Sequence, residues 1–332
     1  MAHDGRILAR ARDILSDTKR KNEDEQRRRR AEVYARLPQV RTLDGELSAM
    51  MAELISGSLR RGEDAAGAVR DIRDHCNEIL ARRGQLLKDG GFPEDYTDER
   101  YCCKACRDTG YIMGQPCSCL EELYQKEAIL ELSSVLDIKN QCFENFDLSY
   151  YDGVCVDGIP ARNIMSTIFE TCRQFAANFS SSSMNLLFRG GTGLGKTFLS
   201  ACIAGLVSAK GCSVIYDTAV SILSAFEDQK FDRGDLGDAA GSRVSRFLGC
   251  DLLIIDDLGT ELTTGFTQSA LYTLINTRLV NGKKTIISTN LGETDMQRRY
   301  TPQINSRLEG EYIPLRFAGP DIRAIKRERA LQ

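Results

Sequence analysis

The sequence predicts an α/β chain in which a parallel sheet flanked by helices surrounds a phosphate-binding loop, preceded by a helical N-terminal module and a zinc knuckle. Three features carry that expectation: a complete G-x-x-x-x-G-K-T run at 190–197, an apolar run that ends in two aspartates at 251–259, and a cluster of cysteines at 102–119.

The phosphate loop is Gly190-Gly191-Thr192-Gly193-Leu194-Gly195-Lys196-Thr197. It is entered from the apolar run Asn185-Leu186-Leu187-Phe188 and left through Phe198-Leu199-Ser200-Ala201-Cys202-Ile203-Ala204. Strand, glycine loop and helix therefore follow one another in the order that phosphate binding requires. Glycines let the backbone take positive φ and turn its N–H groups inward around a β-phosphate, and the helix starting near Lys196 aims its positive end at the same anion. Lys196 would reach the β- and γ-phosphates and the Thr197 hydroxyl would ligate magnesium. The competing reading, a glycine-rich turn that happens to precede a lysine, explains neither the upstream strand nor the downstream helix.

Asp251-Leu252-Leu253-Ile254-Ile255-Asp256-Asp257-Leu258-Gly259 has the pattern of a buried strand with two carboxylates at its end. If that strand runs parallel to the loop strand, Asp256 would hold the magnesium ion through water. Asp257 would then orient or deprotonate the attacking water, with Glu261 as a weaker alternative. Lys284-Thr285-Ile286-Ile287-Ser288-Thr289-Asn290 is a further β-rich run, and the Asn290 amide could bond a γ-phosphate or the water; a plain strand-end turn is the other reading. Arg307 and Arg323 are late cationic positions able to neutralise developing phosphate charge, although most arginines are solvated surface residues.

Taken in order, the phosphate loop, Leu-Leu-Ile-Ile-Asp-Asp-Leu-Gly, Ser-Thr-Asn, Ser-Arg-Leu at 306–308 and Asp-Ile-Arg at 321–323 resemble the DnaC/DnaI family of bacterial replicative helicase loaders, a branch of the AAA+ ATPases. The similarity runs from about Tyr101 to the C-terminus, and Phe143-Glu144-Asn145-Phe146-Asp147-Leu148 resembles the segment that opens the ATPase module near the adenine pocket. The resemblance implies ATP and magnesium as ligands and a sensor role for Asn290. It also implies an arginine finger, Arg307, offered to a neighbouring subunit, and a second sensor at Arg323. A replicative DNA helicase and single-stranded DNA are the implied partners, with a homo-oligomer in the ATP state. Many AAA+ proteins carry Glu where Asp257 stands, which puts the strength of hydrolysis in question. Two other functions fit the same core: an IstB-like transposase helper ATPase, and an ATP-gated adaptor with little turnover.

Five of the twelve cysteines lie between Cys102 and Cys119. Cys103-x2-Cys106 followed by Gly110 forms one half of a zinc knuckle and Cys117-x-Cys119 the other, giving four thiolates for a closed tetrahedral site; Cys102 is spare or an alternate ligand. A redox pair and plain reduced cysteines are the alternatives. Disulfides are not expected, since the opening Met-Ala-His-Asp-Gly-Arg carries no apolar signal segment and points to the cytoplasm. Such a site would stabilise rather than catalyse, and binding energies of about 10–16 kcal/mol in zinc peptides could decide whether a small module folds. The Cys-x-Asp-Thr-Gly-Tyr wording is similar to a cysteine cluster of the DnaI-like branch.

At 332 residues the chain is long enough for two domains and a linker. No apolar run approaches the ~20 residues of a membrane span. Net charge is −3, and the first hundred residues balance 20 basic against 20 acidic side chains, so no global basic field advertises nucleic acid. Helical spacing predicts one helix through Ile7, Leu8, Ala11, Ile14 and Leu15 to Leu37, stopped by Pro38. A second runs through Leu43, Leu47, Met50, Met51, Leu54, Ile55 and Leu59, and a third through Val69, Ile72, Cys76, Ile79, Leu80 and Leu86, ending near Gly90. Arg27-Arg28-Arg29-Arg30 reads as a helix face paired with Glu23-Asp24-Glu25, and Lys326-Arg327-Glu328-Arg329 as a solvated face. Glu121–Leu130 reads as a connecting helix, Ser180–Ser183 as a polar loop, and the Gly- and Asp-rich stretch Asp228–Ser242 as a mobile loop. The resulting partition is a helical partner-binding module at 1–95, a zinc knuckle at 96–122, a connecting helix at 123–142 and an AAA+ ATPase domain at 143–332.

Overall fold

The structure, a computed structural model, describes residues 3–58, 65–231 and 235–330. It divides into two compact units, Met1–Ala11 with Leu120–Gln332, and Arg12–Cys119.

The larger unit is organised by its strands. Among the described residues five of them, β5 (Asn185–Arg189), β6 (Val214–Thr218), β7 (Leu252–Leu258), β8 (Lys284–Thr289) and β9 (Tyr312–Arg316), form one sheet in the order β6-β7-β8-β5-β9, every pair parallel. Because side chains alternate across a strand, both faces must be covered. Leu186, Phe188, Leu252, Ile254 and Ile286 point into one core, built with Met165, Ile168 and Cys172 of α5 (Ala161–Ala177) and Leu199, Ile203 and Val207 of α6 (Lys196–Ala209). Leu187, Leu253, Ile255 and Ile287 point into the other. There they meet α7 (Ala219–Phe231), α8 (Asp235–Gly249), α9 (Gly265–Val280) and α11 (Pro302–Glu311). The parallel sheet flanked by helices is thus the expected one. Its strand order sets β8 between the loop strand β5 and the acidic strand β7, and leaves all C-terminal ends on one edge. Ligands of open parallel sheets bind along that edge.

Two short hairpins, β1 (Tyr111–Ile112) with β2 (Gln115–Pro116) and β3 (Cys155–Val156) with β4 (Ile159–Pro160), complete the strands; α4 (Ser118–Ser133), α10 (Glu293–Arg299) and α12 (Ile322–Ala330) complete the helices of this region. The connecting helix expected at Glu121–Leu130 is α4. The stretch Asp228–Ser242 is not a loop where it is described: α7 continues through Phe231 and α8 begins at Asp235, while residues 232–234 lie outside the described set. Tertiary burial explains the difference, since Val244 and Phe247 of α8 enter the second core and so outweigh the weak propensity of the Gly and Asp residues.

The smaller unit holds most of α1 (Gly5–Arg36) with α2 (Pro38–Ser58) and α3 (Ala65–Asp89). Pro38 ends one helix and opens the next, as its missing N–H allows at a first helical position. Leu59 lies outside the described residues, as do the side chains of Leu54, Ile55 and Val69. Val33, Val40, Leu87 and Phe92 form a small core. The arginine run divides: Arg27 and Arg28 pair with Asp24 and Glu25 at i,i+3 spacing, but Arg29 is buried and donates to the carbonyls of Tyr96 and Asp98.

Arg278 of α9 is a second buried guanidinium, fully enclosed, with no carboxylate paired to it among the described residues. Its donors reach Phe247 O (2.6 Å), Cys250 O (3.0 Å), Thr285 Oγ1 (2.9 Å) and Lys284 O, so it gathers the end of α8 and the starts of β7 and β8. Arg278→Leu strands these buried acceptors and is expected to cost about 3 kcal/mol or more in chemical denaturation of the full chain; a loss below about 1 kcal/mol would contradict this role.

Candidate functional site

The site grows from the turn between β5 and α6. Gly195, at φ +93°, is the residue before the helix, and the Tyr151 hydroxyl lies 2.9 Å from where its Cβ would stand. Gly193, at φ +75°, is more restricted still, because an added Cβ would lie 1.9 Å from Asp321 Oδ1. Only glycine meets both demands. The loop is then tied from outside: Ile322 N–H donates to Gly193 O (3.0 Å), Phe317 N–H to Arg189 O (2.7 Å), and Tyr151 O–H to Leu194 O (3.0 Å). These ties bring the start of α12 onto the loop, where Asp321 caps it by accepting from Arg323 N (2.9 Å).

Lys196 is buried, and its ammonium donates to Gly190 O (2.7 Å), Gly191 O (2.6 Å) and Asn290 Oδ1 (2.6 Å). Burial lowers its pKa, while the carboxylates of Asp257 and Asp256 oppose the fall. Asp256 is buried. Its Oδ2 accepts from Thr197 Oγ1 (3.1 Å) and from the Tyr216 hydroxyl, and its Oδ1 accepts from Ser288 Oγ. Burial and the adjacent Asp256 raise the Tyr216 pKa, so the phenol stays a donor. Asp257 lies in the left-handed region, φ +54°, where the β7–β8 register shifts, and its N–H donates to Ser288 Oγ (3.0 Å). The kink turns its carboxylate into the cleft. Burial first, then Asp256, raises its pKa; Lys196 and Arg323 act the other way.

The cleft is lined by Thr192 to Phe198, Asp257, Asn290, Arg323 and Lys326, and on its other side by Gln141, Asn145, Phe146, Asp147, Tyr150 and Tyr151. Gly190 and Gly191 contribute the carbonyls that hold Lys196. Phe198 meets Phe146 edge-on at 5.6 Å. Lys326, Arg327, Glu328 and Arg329 are all exposed, as the solvated face expected of them requires, with Lys326 and Arg329 lying over the Tyr150 ring at 5.5 and 4.8 Å. Arg307 does not join the cleft of its own chain: on α11 it is half-exposed and near Glu311 (3.9 Å). Glu261 is also elsewhere engaged, its buried carboxylate accepting from Gly259 N (2.8 Å) and the Tyr300 hydroxyl. Tyr216 and Ser288 escaped sequence reasoning, since a hydroxyl inside an apolar strand carries no spacing signal. The hard oxygens of Thr197 and Asp256, 3.1 Å apart, suit a magnesium ion, and the loop suits a polyphosphate.

In the smaller unit Cys103, Cys106, Cys117 and Cys119 converge, their sulfurs all within 4.8 Å of one another. Cys103 and Cys117 are 3.8 Å apart and Cys106 and Cys119 3.4 Å; a tetrahedral zinc site with Zn–S of about 2.3 Å separates its sulfurs by about 3.8 Å. The β1–β2 hairpin returns the chain between the two halves, and Cys117 N–H donates to Gly110 O (2.8 Å). Burial raises the Cys106 pKa, but the Gly110 N–H at 3.3 Å and the neighbouring thiols outweigh it and bring it down to about 7. Cys102 stays outside the set; its backbone N–H and that of Cys103 donate to the buried Asp108 carboxylate (3.0 and 2.7 Å). The donor set fits zinc.

Two outcomes follow from this geometry. The folded protein holds the Asp257 carboxyl above its ordinary pKa of 3.8, so ionising it opposes folding. Its contribution is therefore greatest at low pH and is lost as pH rises through the elevated value. Asp257→Asn, which also suits a left-handed residue, is expected to raise the thermal midpoint at pH 7, with the gain vanishing below about pH 4; a lowered midpoint at neutral pH would contradict the electrostatic account. For the cysteines, metal analysis of purified protein should find zinc equimolar with the chain, and Cys106→Ser should lose most of it and expose 12–119 to proteolysis. Full folding without metal would remove zinc from the account.

The family model for IstB-like ATP binding proteins matches residues 126–300, which is more than half of the chain. The replicative helicase loader DnaC of Escherichia coli K12 is 24% identical over 136 residues, covering 41% of this chain and 54% of that protein. The uncharacterized protein YdaV of the same strain is 25% identical over 183 residues, 55% of this chain and 67% of that one. The chain thus spans about half the length of the DnaC relatives it matches. A crystal structure of the DnaC helicase loader superposes with a TM-score of 0.42 and 22% identity, over 53% of this chain and 98% of that one. With its phosphate loop and acidic strand inside the matched region, the chain belongs to the family of IstB-like ATP binding proteins.

Proposed function

We infer that the protein is a magnesium-dependent ATPase that loads a replicative DNA helicase onto single-stranded DNA as replication begins. The observation that carries the ATPase reading is the convergence of Lys196, Thr197, Asp256, Asp257 and Asn290 at one edge of the sheet. The loop N–H groups and Lys196 bind the phosphates, with Lys196 exchanging its bonds to Gly190 and Gly191 for phosphate oxygens. Thr197 and Asp256 would hold a magnesium ion, which would supply positive charge to neutralise the β- and γ-phosphates. Asp257 orients the attacking water, and Asn290, already bonded to Lys196, reads whether the γ-phosphate is present. Arg323 reaches the same phosphates from α12. Arg307, outside the cleft of its own chain, completes the site of a neighbouring subunit, so that assembly of a homo-oligomer follows ATP binding and release follows hydrolysis.

The helicase and single-stranded DNA enter through the partial similarity to DnaC. Residues 1–95 would grip the helicase, the zinc knuckle at 96–122 and the helix at 123–142 would link them to the ATPase domain at 143–332, and the chain would act in the cytoplasm. Among the described residues no helix is long and apolar enough to cross a membrane. A second reading, a helper ATPase for a transposase, is favoured by the family match itself. An adaptor with little turnover remains the reading that the short Asp257 side chain would favour.

Lys196→Ala is expected to weaken ATP binding by about tenfold to hundredfold in calorimetry, and Asp257→Asn to bind ATP while releasing no phosphate. In pull-downs, a replicative helicase should be retained with ATP and released with ADP. Retention that ignores the nucleotide would overturn loading, and preferential capture of a transposase would select the second reading.

A further inference from the structure

A carboxylate has two oxygens and about four lone-pair sites. Among the described residues three hydroxyls donate to Asp256: Thr197 Oγ1 (3.1 Å) and the Tyr216 phenol to Oδ2, and Ser288 Oγ to Oδ1. Each hydroxyl has a single proton and commits it here. Oδ2 therefore has no lone pair left for a cation, and the remaining acceptor site of Asp256 lies on Oδ1.

Thr197 belongs to the loop helix and Ser288 to the adjacent strand β8, so both stand beside Asp256 by the course of the chain. Tyr216 does not. It is in register with Ile254, two residues before Asp256, so a side chain at 216 must reach about 6.6 Å along the strand direction to meet the carboxylate. A phenol spans that distance, and a serine or threonine hydroxyl falls short. The Tyr216 ring packs against the first core, which leaves the hydroxyl as the part of the side chain that acts on Asp256.

We propose that Tyr216 is a positioning residue that sets which divalent cation the site accepts: by occupying Oδ2 and fixing the carboxylate, it keeps Asp256 from taking a cation directly and so favours magnesium over calcium. The inference rests on the ATPase reading of the cleft and adds its metal selectivity. Magnesium gives up its waters reluctantly and uses few carboxylates, whereas calcium takes about six to eight oxygens, carboxylates among them, in flexible geometry. Removing the phenolic hydroxyl frees a lone pair on Oδ2 and lets the carboxylate turn, a change that benefits calcium more than magnesium.

The test is calorimetric titration of the full chain with ATP in excess magnesium, in excess calcium and in EDTA, the last reporting the phosphate loop without a metal. Wild type should bind ATP at least about fivefold tighter with magnesium than with calcium. Tyr216→Phe, which keeps the packed ring, should bring the two within about twofold through a gain for calcium, with the affinity in EDTA unchanged. Damage to the fold would instead weaken all three together. In an Asp256→Asn background, adding Tyr216→Phe should leave the ratio where it stands, because the effect passes through the carboxylate. A wild-type ratio near one, a ratio that survives in Tyr216→Phe, or a shift that persists in the Asp256→Asn background overturns the assignment while leaving the ATPase reading intact. If Tyr216→Phe loses binding in EDTA, Tyr216→Met is read by the same ratio, and loss in both variants makes Tyr216 a structural residue and overturns the assignment. Wild-type protein that binds ATP under none of the three conditions overturns the ATPase reading and this inference with it.

Discussion

The Asp256 carboxylate is the point on which the site turns. It is buried in the acidic strand and saturated by hydroxyls from three other elements, Thr197 on the loop helix, Tyr216 on β6 and Ser288 on β8. A buried charge needs such donors, and losing one leaves an acceptor that nothing else can satisfy. The arrangement therefore pins the phosphate loop to both neighbours of β7. Ser288 does more than donate, because its oxygen also takes the Asp257 N–H and so holds the kink that aims the second carboxylate into the cleft.

The cleft is organised before any ligand arrives. Lys196 is held by two loop carbonyls and Asn290, so the side chain is positioned and a phosphate need only replace neutral acceptors with charged ones. The twin aspartates carry the opposite strain. Two neighbouring carboxylates, one of them saturated and the other raised in pKa, form a site that gains from any cation placed between them. The C-terminal segment closes the same region by backbone contact, with Phe317 and Ile322 bonded to the residues on either side of the loop's start.

Legibility in the sequence followed the range of the interactions. The glycine loop and the cysteine cluster were readable because their chemistry is local: a helix begins at Lys196, and a hairpin of a few residues returns Cys117 to Cys103. The N-terminal helices were readable from apolar spacing, down to the break at Pro38. Tyr216 and Ser288 were not, since each acquires meaning from a partner supplied by another element. Arg29 and Arg278 show the same limit, because an arginine in sequence reads as surface and only the carbonyls gathered around it make it internal. The Gly- and Asp-rich stretch at 228–242 failed in the other direction: weak local preference suggested a loop, and burial of Val244 and Phe247 made a helix.

The sequence by itself determined the parallel α/β class, the phosphate loop and the four clustered cysteines, because strand, turn and helix signals act over a few residues and metal or phosphate chemistry demands particular side chains at short spacing. Tertiary structure alone decided that β8 separates the loop from the acidic strand, that Arg323 enters the cleft while Arg307 stays outside it, and that three hydroxyls converge on Asp256. Those outcomes depend on which distant segments pack together, and that choice is made by the burial of whole sheet faces rather than by any residue's neighbours along the chain.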